Sequence, residues 1–449
     1  MPIDKQTWTR LHYLFDPIRQ LTVSESHLYV QRPHSVSERL ASDILAGLYA
    51  DTKWIVCGSK GSGKSTELVR LASRLQNERT VVAVDVAESV ANVNTIQPAE
   101  VLFLIGAAAI RTAKEDLGYE VPAKFVQQLR DAFEGLLTKE SHDIDLGKIL
   151  EGVALFAANV GAPGVGAVAG AAKSVSTTAT GALGERARIP LRHRPKLGGT
   201  TLPVREGRAE LERLRIALDE ILLDLYRQRK VVVLVDGLDQ LVDSETIRDL
   251  FTKSTLASPY GQIVFGAPID LMLLAMLKAV PDYLGICNLT NLLVKQPELK
   301  WVSINEGLVE EGRQKMRDVI RLRLESLDLT MEDVFDPECV ELFIDASGGV
   351  LRDLIRFVRD AIRSALMSEK PRIDLPIARE AINDFAKLLS PSLTTKRIKE
   401  LQKVRETGNA ESDDEHVRDL LRYGFILPYT NGTTWFEPHP VLRGMREGL

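Results

Sequence analysis

The 449-residue chain is poor in cysteine, carries no surplus of basic charge and offers no strongly hydrophobic run. Cys57, Cys287 and Cys339 are scattered, which excludes a disulfide framework and a zinc cluster and suits a reducing, cytoplasmic compartment. Lys and Arg total 57 against 62 Asp and Glu, a net charge of −5, so phosphate binding does not dominate the chain and any nucleic-acid contact needs a local patch. The first thirty residues have neither a basic n-region nor a leucine-rich stretch, so no secretory signal is expected. Residues 152–172 are uncharged and long enough to cross a bilayer, but thirteen of these 21 residues are Gly or Ala and Asn159 and Pro163 interrupt them. Such residues contribute little to insertion, and an insertion packed on the core or between subunits, or else a mobile loop, is expected instead of a membrane span.

What is present is a composition typical of globular proteins, 45% hydrophobic and 27% charged, at a length that suits two to four domains. Five short apolar runs read as buried strands: residues 54–57, 81–86, 231–235, 262–265 and 300–304. Helical patterns lie between them, which predicts an α/β fold, a parallel sheet covered on both faces. Past residue 304 the pattern becomes helical, over 306–325, 337–347, 350–367 and 376–389. Further helices over 394–405 and 414–423 precede two aromatic-rich runs split by Asn431-Gly432, a strong hairpin signal. Helices followed by a terminal hairpin suggest a winged helix. The divisions expected are an N-terminal segment (1–45), a core (46–304) with an insertion at 141–215, a helical lid (305–372) and a C-terminal module (373–449). Within the insertion, residues 186–215 hold nine Lys or Arg against three Glu, either a solvated surface or a patch for an acidic partner or nucleic acid.

The chemistry concentrates at Gly58-Ser59-Lys60-Gly61-Ser62-Gly63-Lys64-Ser65, which satisfies G-x-x-x-x-G-K-[ST] between an apolar strand and an amphipathic helix. Backbone N–H groups of such a turn curl around phosphates and the helix N-terminus adds favourable dipole charge. Gly58, Gly61, Ser62, Gly63, Lys64, Ser65 and Thr66 are therefore the expected phosphate-binding set, with Lys64 on the β- and γ-phosphates of ATP and Ser65 on Mg²⁺. The run 231–235 leads into Asp236-Gly237-Leu238-Asp239. A carboxylate ending a buried strand beside that loop suits the magnesium shell, which is the role expected of Asp236, while Asp239 is placed to orient or deprotonate the attacking water. Gly348-Gly349 precedes Arg352 at the start of a helix, where an arginine would close over the γ-phosphate. Arg356, Arg359 and Arg363 continue its stripe and read as a solvated face, with Arg356 paired to Asp360.

The phosphate loop, the Asp-Gly-Leu-Asp motif and the glycine-flanked Arg352 together resemble the AAA+ and STAND superclass of P-loop ATPases, with initiator-type AAA+ and NACHT-like proteins the best matches. Tyr29-Val30-Gln31-Arg32-Pro33 is similar to the box that contacts the adenine side in those families, which makes Arg32 a candidate cofactor-binding residue. The resemblance implies a P-loop NTPase αβα sandwich, a helical lid and a C-terminal winged helix. Three departures stand out. Gly237 occupies the place of the usual catalytic glutamate. Gly266-Ala267-Pro268 offers no polar sensor, leaving Asp270 as the nearest candidate. No arginine finger is assignable, although Arg248 lies in the plausible segment.

The expected function is a slow ATPase switch that oligomerises or engages an effector protein, in a context that resembles bacterial antiviral defence. A DNA-binding AAA+ ATPase of replication or transposition is the alternative, resting on the winged helix and the basic stretches 186–215 and 396–405. A scaffold holding ATP structurally is a third. No NKxD-type guanine signature is present, and His439, between two prolines, reads as a packed loop residue.

Overall fold

Along β3, Val231–Asp236, successive side chains enter two different apolar clusters. Val231, Val233 and Val235 face one and Val232 and Leu234 the other, so both sides of the strand are dry. The same division holds for Ile55 and Cys57 against Trp54 and Val56 in β1, Thr52–Gly58. With β2 (Thr80–Asp85), β4 (Gln262–Ala267) and β5 (Gly285–Leu289) they form one parallel sheet in the order β2-β3-β4-β1-β5. Strands apolar on both faces are what a sheet buried between helices requires. The computed structural model describes residues 3–19, 21, 23–32, 35–47, 50–90, 92–136, 207–252, 255–276, 283–410 and 414–443.

One face is covered by Val36–Ala46 and Lys64–Leu75, the other by Pro98–Leu117 and Gly207–Gln228. Ala123–Glu134 packs onto this second layer, where Phe103 and Phe133 stack at 4.1 Å between ring centroids. The fold is thus the expected α/β sandwich, and the glycine-rich turn after β1 sits at the carboxyl edge of the sheet. Among the described residues no helix is long and apolar enough to cross a membrane. Residues 152–172 and most of the basic stretch 186–215 lie outside the described residues.

The fifth strand is not at 300–304. It is Gly285–Leu289, in register with β1 from Trp54↔Gly285 to Gly58↔Leu289. Residues 300–304 form a turn and loop in which Trp301 is half exposed. An edge strand is stabilised by its partner, and Gly285 and Asn288 hide this one from an apolar pattern.

Beyond the sheet the helices run Glu306–Glu325, Pro337–Ser347, Leu351–Met367 and Leu375–Leu389. Their ends are locally encoded. Asn305 caps the first, Pro337 opens the second at its first turn, and Gly348 closes it in the left-handed region. The chain then adds Thr395–Thr407, Glu415–Arg422 and an antiparallel hairpin of β6 (Ile426–Asn431) and β7 (Thr433–Pro438), with Gly432 at its tip. His439 is buried as expected, its ring accepting from the Val441 N–H and lying 3.3 Å from Asp353. Arg356 pairs with Asp353 at 3.9 Å and stacks over Phe385, while Asp360 is taken by Arg359, so the expected Arg356–Asp360 pair is not the one formed.

Candidate functional site

Three pieces of chain converge at the carboxyl edge of the sheet around a cavity of about 500 Å³. The turn from Gly58 to Gly63 leads into the Lys64–Leu75 helix, for which Gly63 is the cap at φ +96°. Gly61, at φ +89°, carries the closest approach: a Cβ there would stand 2.6 Å from the Cβ of Arg352, whose N–H donates to the Gly61 carbonyl at 3.3 Å. Glycine is therefore required on both conformational and steric grounds. Arg352 rests directly on the loop and lines the cavity, and no carboxylate pairs with it among the described residues. The turn that delivers it is equally constrained, because Gly349 at φ +80° leaves no room for a Cβ beside the Leu292 carbonyl.

Lys64 is buried and donates to the carbonyls of Gly58 at 2.8 Å and Ser59 at 2.9 Å. It also pairs with Asp239 at 3.0 Å. The loop lysine and the second acid of the Asp-Gly-Leu-Asp motif are thus already in contact. Asp236 is buried beside them and its Oδ1 accepts the Gly237 N–H at 2.8 Å. Its Oδ2 is buried with no hydrogen-bond partner among the described residues, as is the Ser62 hydroxyl. Burial, reinforced by the charge of Asp239, raises the Asp236 carboxyl to about 6, against the pull of the nearby Ser65 hydroxyl and Lys64.

A third carboxylate joins this pair. Asp85 ends β2 in register with Asp236, lines the cavity and caps the following turn by accepting the Glu88 N–H at 3.1 Å. Burial first, and Asp236 second, lift it to about 7. Its signal in the sequence is the same as that of Asp236, an apolar strand ending in an acid, but it follows no recognised motif. No group of three or more His, Cys, Asp or Glu is gathered to hold a metal by itself among the described residues. A magnesium site does not need one, since Mg²⁺ is commonly held by one or two carboxylates together with substrate phosphates. The orphaned Asp236 oxygen beside Ser65 fits that donor set.

The rest of the cavity is mixed, with Arg19, Arg323 and Arg356 beside an apolar set. Pro17, Leu28, Tyr29, Val30, Val319 and Ile355 line it. The N-terminal segment is pinned there by Glu67, buried in the first turn of the loop helix, which accepts from the Tyr29 hydroxyl at 2.9 Å and the Ser37 N–H at 3.0 Å. Arg32 is buried and spends its guanidinium on the carbonyls of Thr290, at 2.9 Å, and Ser62. It borders the cavity, but its hydrogen bonds brace the phosphate loop from behind. Thr66 and Ser65 line the cavity as expected. Asp270 does not reach it. Its carboxylate is buried against Arg422, whose Nε lies 2.8 Å from Oδ1 and 3.0 Å from Oδ2, so the nearest sequence candidate for a sensor is a structural ion pair. Arg248 is exposed on the Ser244–Thr252 helix.

No protein-family model matches the chain, and no curated protein matches it by sequence. Among solved structures it is similar to Drosophila ORC bound to DNA, with a TM-score of 0.36, 12% identity, and 99% of this chain and 94% of that chain covered. It is also similar to the Thermotoga maritima RuvB Holliday junction branch migration motor, with a TM-score of 0.34, 12% identity, and 94% and 95% covered. Scores of this size add no weight to the fold beyond the sheet order and the loop geometry themselves.

Proposed function

We propose that the chain is a magnesium-dependent, ATP-binding and ATP-hydrolysing switch of the AAA+/STAND class. The observation that carries this reading is the convergence of the phosphate loop, Asp85, Asp239 and Arg352 on one cavity, with Asp236 buried directly behind it. Its volume of about 500 Å³ lies within the ordinary range of small-molecule sites. The Gly61–Thr66 turn would seat the phosphates, and Ser65 with the unpaired oxygen of Asp236 would hold Mg²⁺. The ion supplies charge neutralisation at the phosphate oxygens, where phosphoryl transfer depends mostly on positioning and electrostatics.

Lys64 and Asp239 form the switching pair. Lys64 cannot serve a triphosphate and Asp239 equally well, so phosphate binding competes with their ion pair and frees a carboxylate to orient water. Arg352 ties the Leu351–Met367 helix to the occupied loop, and that coupling would drive assembly with further copies or an effector protein. The order of the last three helices and the hairpin suits a winged helix. Its basic stretch favours the switch over the DNA-binding reading, because Arg397 faces Asp419 at 3.6 Å and Arg405 faces Glu298 at 3.3 Å.

Calorimetry with Mg·ATP, alongside a size measurement, tests this directly. Wild type should bind and change its assembly state, while Lys64→Ala should lose both. An alanine variant that binds like wild type overturns the reading.

A further inference from the structure

Five arginines are buried among the described residues: Arg32, Arg79, Arg111, Arg323 and Arg422. Four are better satisfied, two by carboxylates and two by several backbone carbonyls, although the Arg79 Nε is also without a partner. Arg32 donates to two carbonyls of other segments, Arg79 to the carbonyls of Ile44, Leu45 and Glu78, Arg111 pairs with Glu115, and Arg422 with Asp270. Arg323 is the exception. It is 6% exposed, and its one hydrogen bond runs from Nη1 to the Val319 carbonyl of its own helix, at 2.8 Å. Its Nε is buried without a partner, and no carboxylate pairs with it among the described residues. The Phe15 ring lies 5.9 Å from the guanidinium. Burial, with the nearby charge of Arg19, lowers it to about 10.

A buried charge left this far from neutralised is costly unless something else supplies the partner. Arg323 lines the same cavity as the phosphate loop, in company with Leu28, Val30, Val319 and Ile355. The phosphates already have Lys64 and the loop amides. The other polar side chains around the apolar part of the cavity are engaged, Arg19 with Glu25, Tyr29 with Glu67 and Arg356 with Asp353. That leaves Arg323 to fix the orientation of a flat ring, the usual role of the few polar groups in such a site. A guanidinium has donors only, so it selects acceptors.

We propose that Arg323 recognises the nucleoside half of the bound nucleotide, donating to an acceptor atom there, and so fastens the Glu306–Glu325 helix to the ligand. This rests on the nucleotide reading above and adds a specificity-determining residue on an element that carries no motif. The ring of Phe15 and the paired Arg19 and Glu25 hold the surroundings of the guanidinium.

The test compares Mg·ATP with inorganic tripolyphosphate, titrated into full-length wild type and Arg323→Met, with the unfolding midpoint of each ligand-free protein as control. Methionine keeps the apolar stem; Arg323→Gln, which can still donate to Val319, takes its place if the first variant does not fold. ATP affinity should fall on the order of ten- to a hundredfold, the span of a lost hydrogen bond to a charged group. Tripolyphosphate affinity should stay unchanged. Equal losses for both ligands, or no loss for either, overturn the role of Arg323. Wild type that binds neither ligand overturns the nucleotide reading itself.

Discussion

Two regions of this molecule bury charge in opposite ways. At the seam between the sheet and the C-terminal helices, Arg422 grips both oxygens of Asp270 and donates to the Ser244 hydroxyl at 2.7 Å. Nearby, the Tyr429 hydroxyl donates to the Gly348 carbonyl at 2.7 Å, and the Asn291 N–H to the Pro428 carbonyl at 3.1 Å. At the phosphate loop the Asp236 Oδ2 and the Ser62 hydroxyl are buried without partners, and so is the Arg323 Nε in the cavity wall. Unpartnered atoms also occur beside the seam, at Arg418 Nε and Trp435 Nε1, but there the buried charges of Arg422 and Asp270 answer each other, whereas Arg323 lines a cavity with room for a ligand. The first fixes the turn that delivers Arg352; the second uses it.

Breaking the seam should give the largest effect. Arg422→Ala strands a buried carboxylate, and chemical denaturation should register a loss of about 3–5 kcal/mol. Removing Asp270 as well should cost less than the sum of the single changes, since the charge left behind is the main penalty. If Arg422→Ala is neutral, the contrast between the two regions fails.

The loop region should answer to pH. Asp85, lifted to about 7 from the ordinary carboxylate value of 3.8, binds its proton more tightly folded than unfolded. Its stabilising contribution is complete below the ordinary value and is lost as pH rises through about 7. The ligand-free protein should therefore melt lower at pH 8 than at pH 5, by an amount on the order of 2 kcal/mol. Asp85→Asn, which preserves the cap on Glu88, should flatten that slope in thermal melts with a chelator present. A slope unchanged by the substitution would assign the effect to other groups.

The smallest expected effect sharpens the comparison. Tyr429→Phe removes one buried hydrogen bond to the Gly348 carbonyl and should cost about 1 kcal/mol in urea unfolding. A variant of native stability but altered ATP affinity would show that the seam takes part in binding and is not only its support.

Much of this was legible in the chain itself. The glycine-rich turn announces its strand and helix, and the helix over 306–325 follows its apolar period and its Asn305 cap to the expected ends. The fifth strand was not legible, because Gly285 and Asn288 carry no apolar signal and the pairing with Trp54–Gly58 is what makes it a strand. Arg323 was hidden for a related reason. It stands in a helix with Arg313, Arg317 and Arg321, which all pair with carboxylates, and nothing in the spacing marks it as the one turned inward. Asp270 misled in the other direction, since a polar residue after a core strand looks the same whether it meets a ligand or an arginine from the far end of the chain.

The sequence by itself determined the phosphate loop, the helix caps and the double apolar faces of the strands, because each depends on residues a few positions apart. Tertiary structure alone decided that Lys64 meets Asp239, that Arg422 claims Asp270, and that Arg323 is buried without a matching charge. Arg422 and Asp270 lie 152 positions apart, and contacts across such distances leave no periodic trace. Their pairing is set only when the packed core brings those side chains out of water and makes the absence of a partner costly.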